Sequence, residues 1–275
     1  MQTPVPDSGA RHVLGLSGGK DSAALALYMR ERVPQMEYYF TDTGKELPET
    51  YDFLKKLEVA LGKPIVRLNS DRDFDHWLWV NNGMLPSPQV RWCTRQLKIR
   101  PFEAWVGDDR VYSYIAIRAD EDRDGYISAN PNIMPIFPFK EDGICKADVF
   151  RMLEEASVGL PDYYRWRTRS GCFFCFFQRK YEWVRLSEEH PDLFQKAIDY
   201  EDKVNYERTA SSEHFTWTQG ETLRELLARG DSIKAEHDAR AKAETLRSPN
   251  RPLLDVLGDL LDEEDTAPVC TACHW

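Results

Sequence analysis

The sequence contains no apolar run approaching the roughly 20 residues that span a bilayer, and its opening Met-Gln-Thr-Pro-Val-Pro-Asp has none of the basic-then-apolar character of an export signal. Both absences set the expectation of a cytoplasmic protein with no membrane partner. A surplus of positive charge is also missing: 36 Lys and Arg stand against 46 Asp and Glu, a formal net charge of -10. A broadly cationic nucleic-acid coat is excluded, whereas a local basic cleft is not. Cysteine is sparse, six in 275 residues, and a chain this long with 42% hydrophobic residues builds a core without disulfide staples.

What is present begins with an alternation. Val13-Leu14-Gly15-Leu16 reads as a strand, Ala23 to Met29 as a helix with Asp21 or Ser22 near its N-cap, and Tyr38-Tyr39-Phe40 as a second strand. Pro48 suits the first turn of a helix carrying Phe53, Leu54, Leu57, Ala60 and Leu61, and Pro64 to Leu68 makes a third strand. Val111 to Ile117 is the next strand and Lys146 to Leu153 a further helix. The order implies an α/β fold with a parallel sheet. After Pro161 the periodicity is helical throughout, ending in Leu253 to Leu261, an acidic stretch and a terminal cysteine pair. The expected organisation is an α/β region over 1–160 and a helical, cysteine-containing C-terminal appendage over 161–275, packed on it.

Between the first strand and helix lies Leu16-Ser17-Gly18-Gly19-Lys20-Asp21-Ser22. Two glycines admit an anion to the backbone, the helix N-terminus adds partial positive charge, and Ser17, Lys20 and Ser22 supply donors. This is a phosphate loop, distinct from the common P-loop because Asp21 separates Lys20 from the hydroxyl residue; a Gly-rich turn without ligand is the plainer alternative. Asp42, with Thr43 and Gly44, follows the second strand at the edge where α/β sheets hold ligands, and an Asx turn is its competing use. Arg118 follows the fourth strand, where it would clamp a phosphate with Asp120 or Glu121 orienting it, or form a surface ion pair. Arg91, Arg95, Lys98 and Arg100 surround Cys93, and Arg165, Arg167 and Arg169 are interleaved with Tyr163, Tyr164 and Trp166. That mixture suits phosphates and stacked bases, and equally a solvated helix face.

The loop string, together with Phe40-Thr41-Asp42-Thr43-Gly44, Pro48-Glu49-Thr50-Tyr51, Trp92-Cys93-Thr94-Arg95-Gln96-Leu97-Lys98-Ile99-Arg100-Pro101, Ile117-Arg118-Ala119-Asp120-Glu121 and Ser170-Gly171-Cys172-Phe173-Phe174-Cys175, resembles the PP-loop ATP pyrophosphatases of the phosphoadenosine phosphosulfate (PAPS) reductase superfamily. The branch it resembles includes the DndC-like and SspD-like proteins of DNA phosphorothioation and its linked antiphage defence. The resemblance runs from about Val13 to about Glu201. It implies a PP-loop fold that binds ATP and magnesium and cleaves ATP between the α- and β-phosphates to adenylate an acceptor, a DNA backbone phosphate, for sulfur incorporation. Lys20, Asp21, Asp42 and Arg118 are the implied catalytic residues, and Ser17 to Ser22 with Asp42, Thr43 and Gly44 the nucleotide contacts. Implied partners are a cysteine desulfurase and other phosphorothioation proteins. A PAPS or adenylylsulfate reductase is the alternative, but those enzymes typically lack the loop lysine and carry a Cys-Gly-x-His motif that Cys273-His274 does not reproduce. A non-catalytic nucleotide sensor is the other alternative.

A C-x-x-C pair is a metal site, a redox pair or chance. The turn at Ser170-Gly171 and a following helix would favour thiolates at Cys172 and Cys175. Cys93 supplies a third ligand by family position and Cys270 or Cys273 a fourth. The resemblance implies a [4Fe–4S] cluster, with zinc as second choice. Cys145 stands at a helix start and reads as structural.

Overall fold

Residues 9–122, 128–206 and 214–247 are described by the computed structural model of the protein, and its backbone is organised around five parallel strands. These are β1 (Arg11–Gly15), β2 (Glu37–Asp42), β3 (Ile65–Asn69), β4 (Val111–Tyr114) and β5 (Ile133–Ile136), in the order β3-β2-β1-β4-β5. β1 is paired with β2 from Val13↔Glu37 and with β4 from Arg11↔Val111. The chain builds outward from β1 to β3, then crosses back to place β4 on the other side of β1. The crevice between the C-terminal ends of β1 and β4 is therefore the topological switch point, where open α/β sheets bind ligands.

Helix α1 (Lys20–Met29) is buried on nearly every face because it lies between the sheet and its neighbours, packing against α2 (Pro48–Leu61) and α7 (Lys146–Glu155). Its N-cap is Gly19, not Asp21 or Ser22. Asp21 instead occupies the first turn, where a carboxylate is favoured by the helix dipole. The alternation over the first hundred residues is as expected. The fourth strand stops at Tyr114, three residues short of the expected end, because the chain turns there toward the switch point; only the Ile115 N–H still reaches the sheet, at Ile136 O. β5 escaped the hydrophobic pattern because it is four residues long and contains Pro135, which is tolerated on an edge strand.

Between β3 and β4 lie α3 (Phe74–Val80), the single turn α4 (Trp92–Thr94), a π-helical stretch at Arg95–Ile99 and α5 (Arg100–Val106). α6 (Pro138–Glu141) precedes α7, whose N-cap Cys145 donates its backbone N–H to Asp148 Oδ2 at 2.9 Å. The C-terminal part is helical: α8 (Lys180–Glu189), α9 (Pro191–Asn205), α10 (Leu223–Ala228) and α11 (Gly230–Arg247). These helices do not bury their apolar faces among themselves alone. Trp183, Phe194, Ala197 and Trp217 share one cluster with Leu47, Phe74, Leu78 and Trp92 from the α/β part. Among the described residues no helix is long and apolar enough to cross a membrane. The helix expected over Leu253 to Leu261 and the terminal cysteine pair lie outside the described residues.

Candidate nucleotide site and cysteine cavity

The Ser17–Ser22 loop leaves β1 with Gly18 at φ +77°, a left-handed conformation that glycine adopts without strain. A Cβ at Gly18 would meet Thr50 Cγ2 at 2.5 Å, and one at Gly19 would lie 3.0 Å from Ser170 Oγ. The loop is thus moulded against α2 and the segment before Cys172. Within it, Ser17 Oγ and Ser22 Oγ are 3.1 Å apart, and Ser22 Oγ donates to Gly19 O at 3.2 Å. Two tyrosines clamp it from behind: Tyr163 OH donates to Gly18 O at 2.7 Å, and Lys20 N–H donates to Tyr164 OH at 3.2 Å. Burial raises the pKa of both phenols, so both are neutral clamps at physiological pH.

At the head of α1, Lys20, Asp21 and Ser22 are all buried. Lys20 Nζ is 3.2 Å from Asp21 Oδ2, and Arg118 Nη1 reaches Asp21 Oδ1 at 2.9 Å across the switch point. Arg118, 3% exposed, also contacts Asp120 at 3.0 Å through Nε and Glu121 at 2.8 Å through Nη1. The ion pair is therefore internal, and it ties the loop after β1 to the loop after β4. Charges so buried are tolerated only as a paired network, and this one sets two cations, Lys20 and Arg118, at the Gly18–Gly19 loop.

Asp42, at the end of β2, accepts from Gly44 N–H at 2.9 Å and from Tyr51 OH at 2.8 Å through Oδ1, with Arg67 at 3.7 Å from Oδ2. The Asx turn weighed for it is present and shapes the adjoining Thr43–Glu46 segment. Glu49 of α2 meets His190 at 2.7 Å.

Thr43 Oγ1 donates to Glu46 Oε1 at 2.9 Å and lies 3.1 Å from Cys172 Sγ; Cys172 Sγ donates to Glu46 Oε1 at 3.6 Å. Phe173 N–H donates to Lys45 O at 2.8 Å, closing an antiparallel bridge between Glu46 and Cys172. Cys93, Cys172 and Cys175 line one narrow cavity of about 30 Å³, walled by Phe74, Phe174 and Phe177. Three thiols in an aromatic wall are a soft donor set suited to a thiolate-held group. Among the described residues they do not close into a metal-holding cluster, and neither does any other group of three His, Cys, Asp or Glu.

The expected thiolate stabilisation at Cys172 is not found. Burial, reinforced by Glu46, pushes the Cys172 thiol well above its ordinary value, outweighing Lys98 and Thr43. The α8 helix starts only at Lys180, too far along the chain for its N-terminus to act on this sulfur.

The basic and aromatic residues read as a nucleic-acid surface divide sharply. Tyr163, Tyr164, Trp166 and Arg167 are buried, so they stack on no base. Arg167 braces the C-x-x-C loop by donating to Gly171 O at 3.1 Å and Cys172 O at 2.9 Å, and Glu182 holds Thr168 at 2.7 Å. Arg169 donates to Phe177 O at 3.0 Å. The pinning residues Thr50, Tyr163, Tyr164, Ser170 and Arg167 carry no chemical signature by themselves. Their proximity to the sequence motifs was the only available signal.

Residues 11–127 match the phosphoadenosine phosphosulfate reductase domain family. Two uncharacterized proteins of Methanocaldococcus jannaschii are each 27% identical to the chain, over 70% and 67% of its length. The chain spans less than half of these relatives, 47% and 40%. A crystal structure of PAPS reductase from Candida auris in complex with phosphate superposes with a TM-score of 0.46 and 15% identity, over 57% of this chain and 78% of that one. The family match covers β1 through β4, the part of the chain that carries the Ser17–Ser22 loop, Asp42 and Arg118.

Proposed function

We propose that this PAPS reductase-like chain is an ATP pyrophosphatase that adenylates a nucleic-acid backbone phosphate for sulfur incorporation. The observation that supports it most is the buried Lys20–Asp21–Arg118 network at the switch point, which holds two cations beside a complete phosphate loop. A reductase acting on a pre-activated sulfonucleotide releases no pyrophosphate and has no use for that arrangement. An acceptor oxygen attacks the α-phosphorus of Mg-ATP, the bond from that phosphorus to the α–β bridging oxygen breaks, and pyrophosphate departs against the loop and Lys20. Asp21 is held between Lys20 and Arg118; magnesium, entering with the substrate phosphates, would supply charge neutralisation at the departing pyrophosphate. The terminal sulfur of a desulfurase-borne persulfide then attacks the adenylated phosphorus, AMP leaves, and a two-electron reductant splits the S–S bond.

Cys93, Cys172 and Cys175, with Cys270 or Cys273 from outside the described residues, would hold a [4Fe–4S] cluster, or zinc as second choice. A cluster would supply electron transfer to the sulfur step.

The test is anaerobic purification followed by incubation with Mg-ATP, with and without DNA. AMP and pyrophosphate are the expected products; ADP and phosphate overturn the assignment. The family match also favours a second reading, a sulfonucleotide reductase, for which release of sulfite from PAPS with a thiol reductant is decisive.

A further inference from the structure

Four consecutive carboxylates, Asp262-Glu263-Glu264-Asp265, stand five residues before Cys270 and eight before Cys273. A run of like charge repels itself, and in a chain of net charge -10 only a cationic surface relieves it.

The border of the cysteine cavity is such a surface. Lys98 lines the cavity and its charge acts on Cys172. Arg91 and Arg169 hold their guanidinium groups 5.7 and 5.4 Å from the centroid of the Phe177 ring, which is part of the cavity wall. Arg95 and Arg100, both exposed, flank Lys98 on the same stretch. Among the described residues lining the cavity there is no Asp or Glu. Glu46, which reaches Cys172 from the loop after β2, has Oε1 taken up by Thr43 and Cys172. The cavity also has room for another donor, since Cys93, Cys172 and Cys175 bring three sulfurs where a four-thiolate group needs one more. The tail carries both complements in order, carboxylates for the cations and then thiols for the cavity.

The path is short enough. His237 of α11 stacks on Tyr181 with ring centroids 3.7 Å apart, and Tyr181 follows Cys175 by six residues. α11 runs ten residues past His237 to Arg247, about 15 Å of helix, so its end stands within about 40 Å of Cys175. Fifteen residues lead from Arg247 to Asp262, and extended they reach about 50 Å.

We infer that the acidic stretch 262–265 docks on the cationic border formed by Lys98, Arg91 and Arg169, and so seats the terminal cysteine pair at the cavity. The tether makes the contact intramolecular, at an effective concentration on the order of mM, which favours this occupant over a free polyanion drawn to the same cations. The inference rests on the thiolate-held group proposed above and names the contact that completes it.

The test follows alkylation of each cysteine by iodoacetamide in the full chain, reduced and freed of metal with a chelator, by mass spectrometry with Cys145 as internal reference. In wild type Cys93, Cys172 and Cys175 are expected to react slowly. Asp262→Asn, Glu263→Gln, Glu264→Gln and Asp265→Asn together should raise those three rates about 5-fold or more and leave Cys145 unchanged. Salt at about 0.5 M should do the same to wild type by screening the contact. Lys98→Glu should expose the cavity, and adding Asp262→Lys and Asp265→Lys to it should restore protection; circular dichroism melts verify folding, and the neutral-tail variant decides by itself if Lys98→Glu does not fold. Rates in the neutral-tail variant within twofold of wild type overturn the docking. Protection that arises only when oligo(dT) is added gives the cations to nucleic acid and likewise overturns it. Salt-sensitive protection in a chain that takes up neither iron nor zinc on reconstitution leaves the docking standing and overturns the thiolate-held group.

Discussion

Thr43 Oγ1 lies 3.1 Å from Cys172 Sγ, across 129 residues of sequence. The contact joins the loop after β2, beside the candidate nucleotide site, to the cysteine cavity, and the backbone bridge from Phe173 to Lys45 reinforces it. Two motifs that stand far apart in the sequence therefore share a hydrogen-bonded seam.

The seam predicts energetic coupling. Thr43→Val and Cys172→Ala, made singly and together, should be non-additive in urea unfolding by about 0.5 kcal/mol or more, as contacting residues generally are. Additivity within about 0.3 kcal/mol would show that the seam carries no coupling.

Arg118 neutralises Asp21 from the far side of the switch point. Arg118→Met leaves Asp21, Glu121 and Asp120 without their shared cation, and a broken buried pair costs about 3 kcal/mol. The expected result is a lower urea midpoint together with weakened ATP binding. Arg118→Lys should recover little of either, because one ammonium cannot reproduce the guanidinium's separate contacts through Nε and Nη1.

Gly18→Ala meets two obstacles, a φ of +77° and Thr50 Cγ2 at 2.5 Å from the new Cβ. Destabilisation of about 1–3 kcal/mol is expected, with loss of nucleotide affinity by calorimetry. Adding Thr50→Ser removes the colliding methyl and should restore part of the stability, leaving the backbone strain in place. No recovery would mean that the φ requirement alone dictates glycine.

Glu221 is held at about pKa 2, first by its hydrogen bonds with Arg229 and then by Lys180. Because its folded pKa lies below its ordinary value of 4.5, its contribution is complete above that ordinary value and disappears as pH falls toward 2. Glu221→Gln should therefore lower the urea midpoint at pH 7, with the difference from wild type narrowing steadily between pH 4.5 and 2.5. A difference that widens on acidification would contradict the assigned ion pairs.

The local grammar of this protein is written in its residues. Short apolar runs mark β1 to β3 and helical periodicity marks α1 and α2, and the Ser17–Ser22 string reads as a phosphate loop because glycines, hydroxyls and a lysine at a helix start have few other uses together. The same local reading failed where solvent exposure mattered. Tyr163, Tyr164 and Trp166 share the composition of a base-stacking surface, yet they lie inside, two of them clamping the loop. Trp79, on a short helix with no motif, is exposed. Strand order was equally illegible. Arg118 meets Asp21 across 97 residues because β4 returns to the side of β1 opposite β2, and nothing in the spacing of either motif specifies that crossing. Local chemistry depends on neighbours in the chain; which motifs become a site, and which side chains face water, is decided by long-range packing of the sheet and the helices around it.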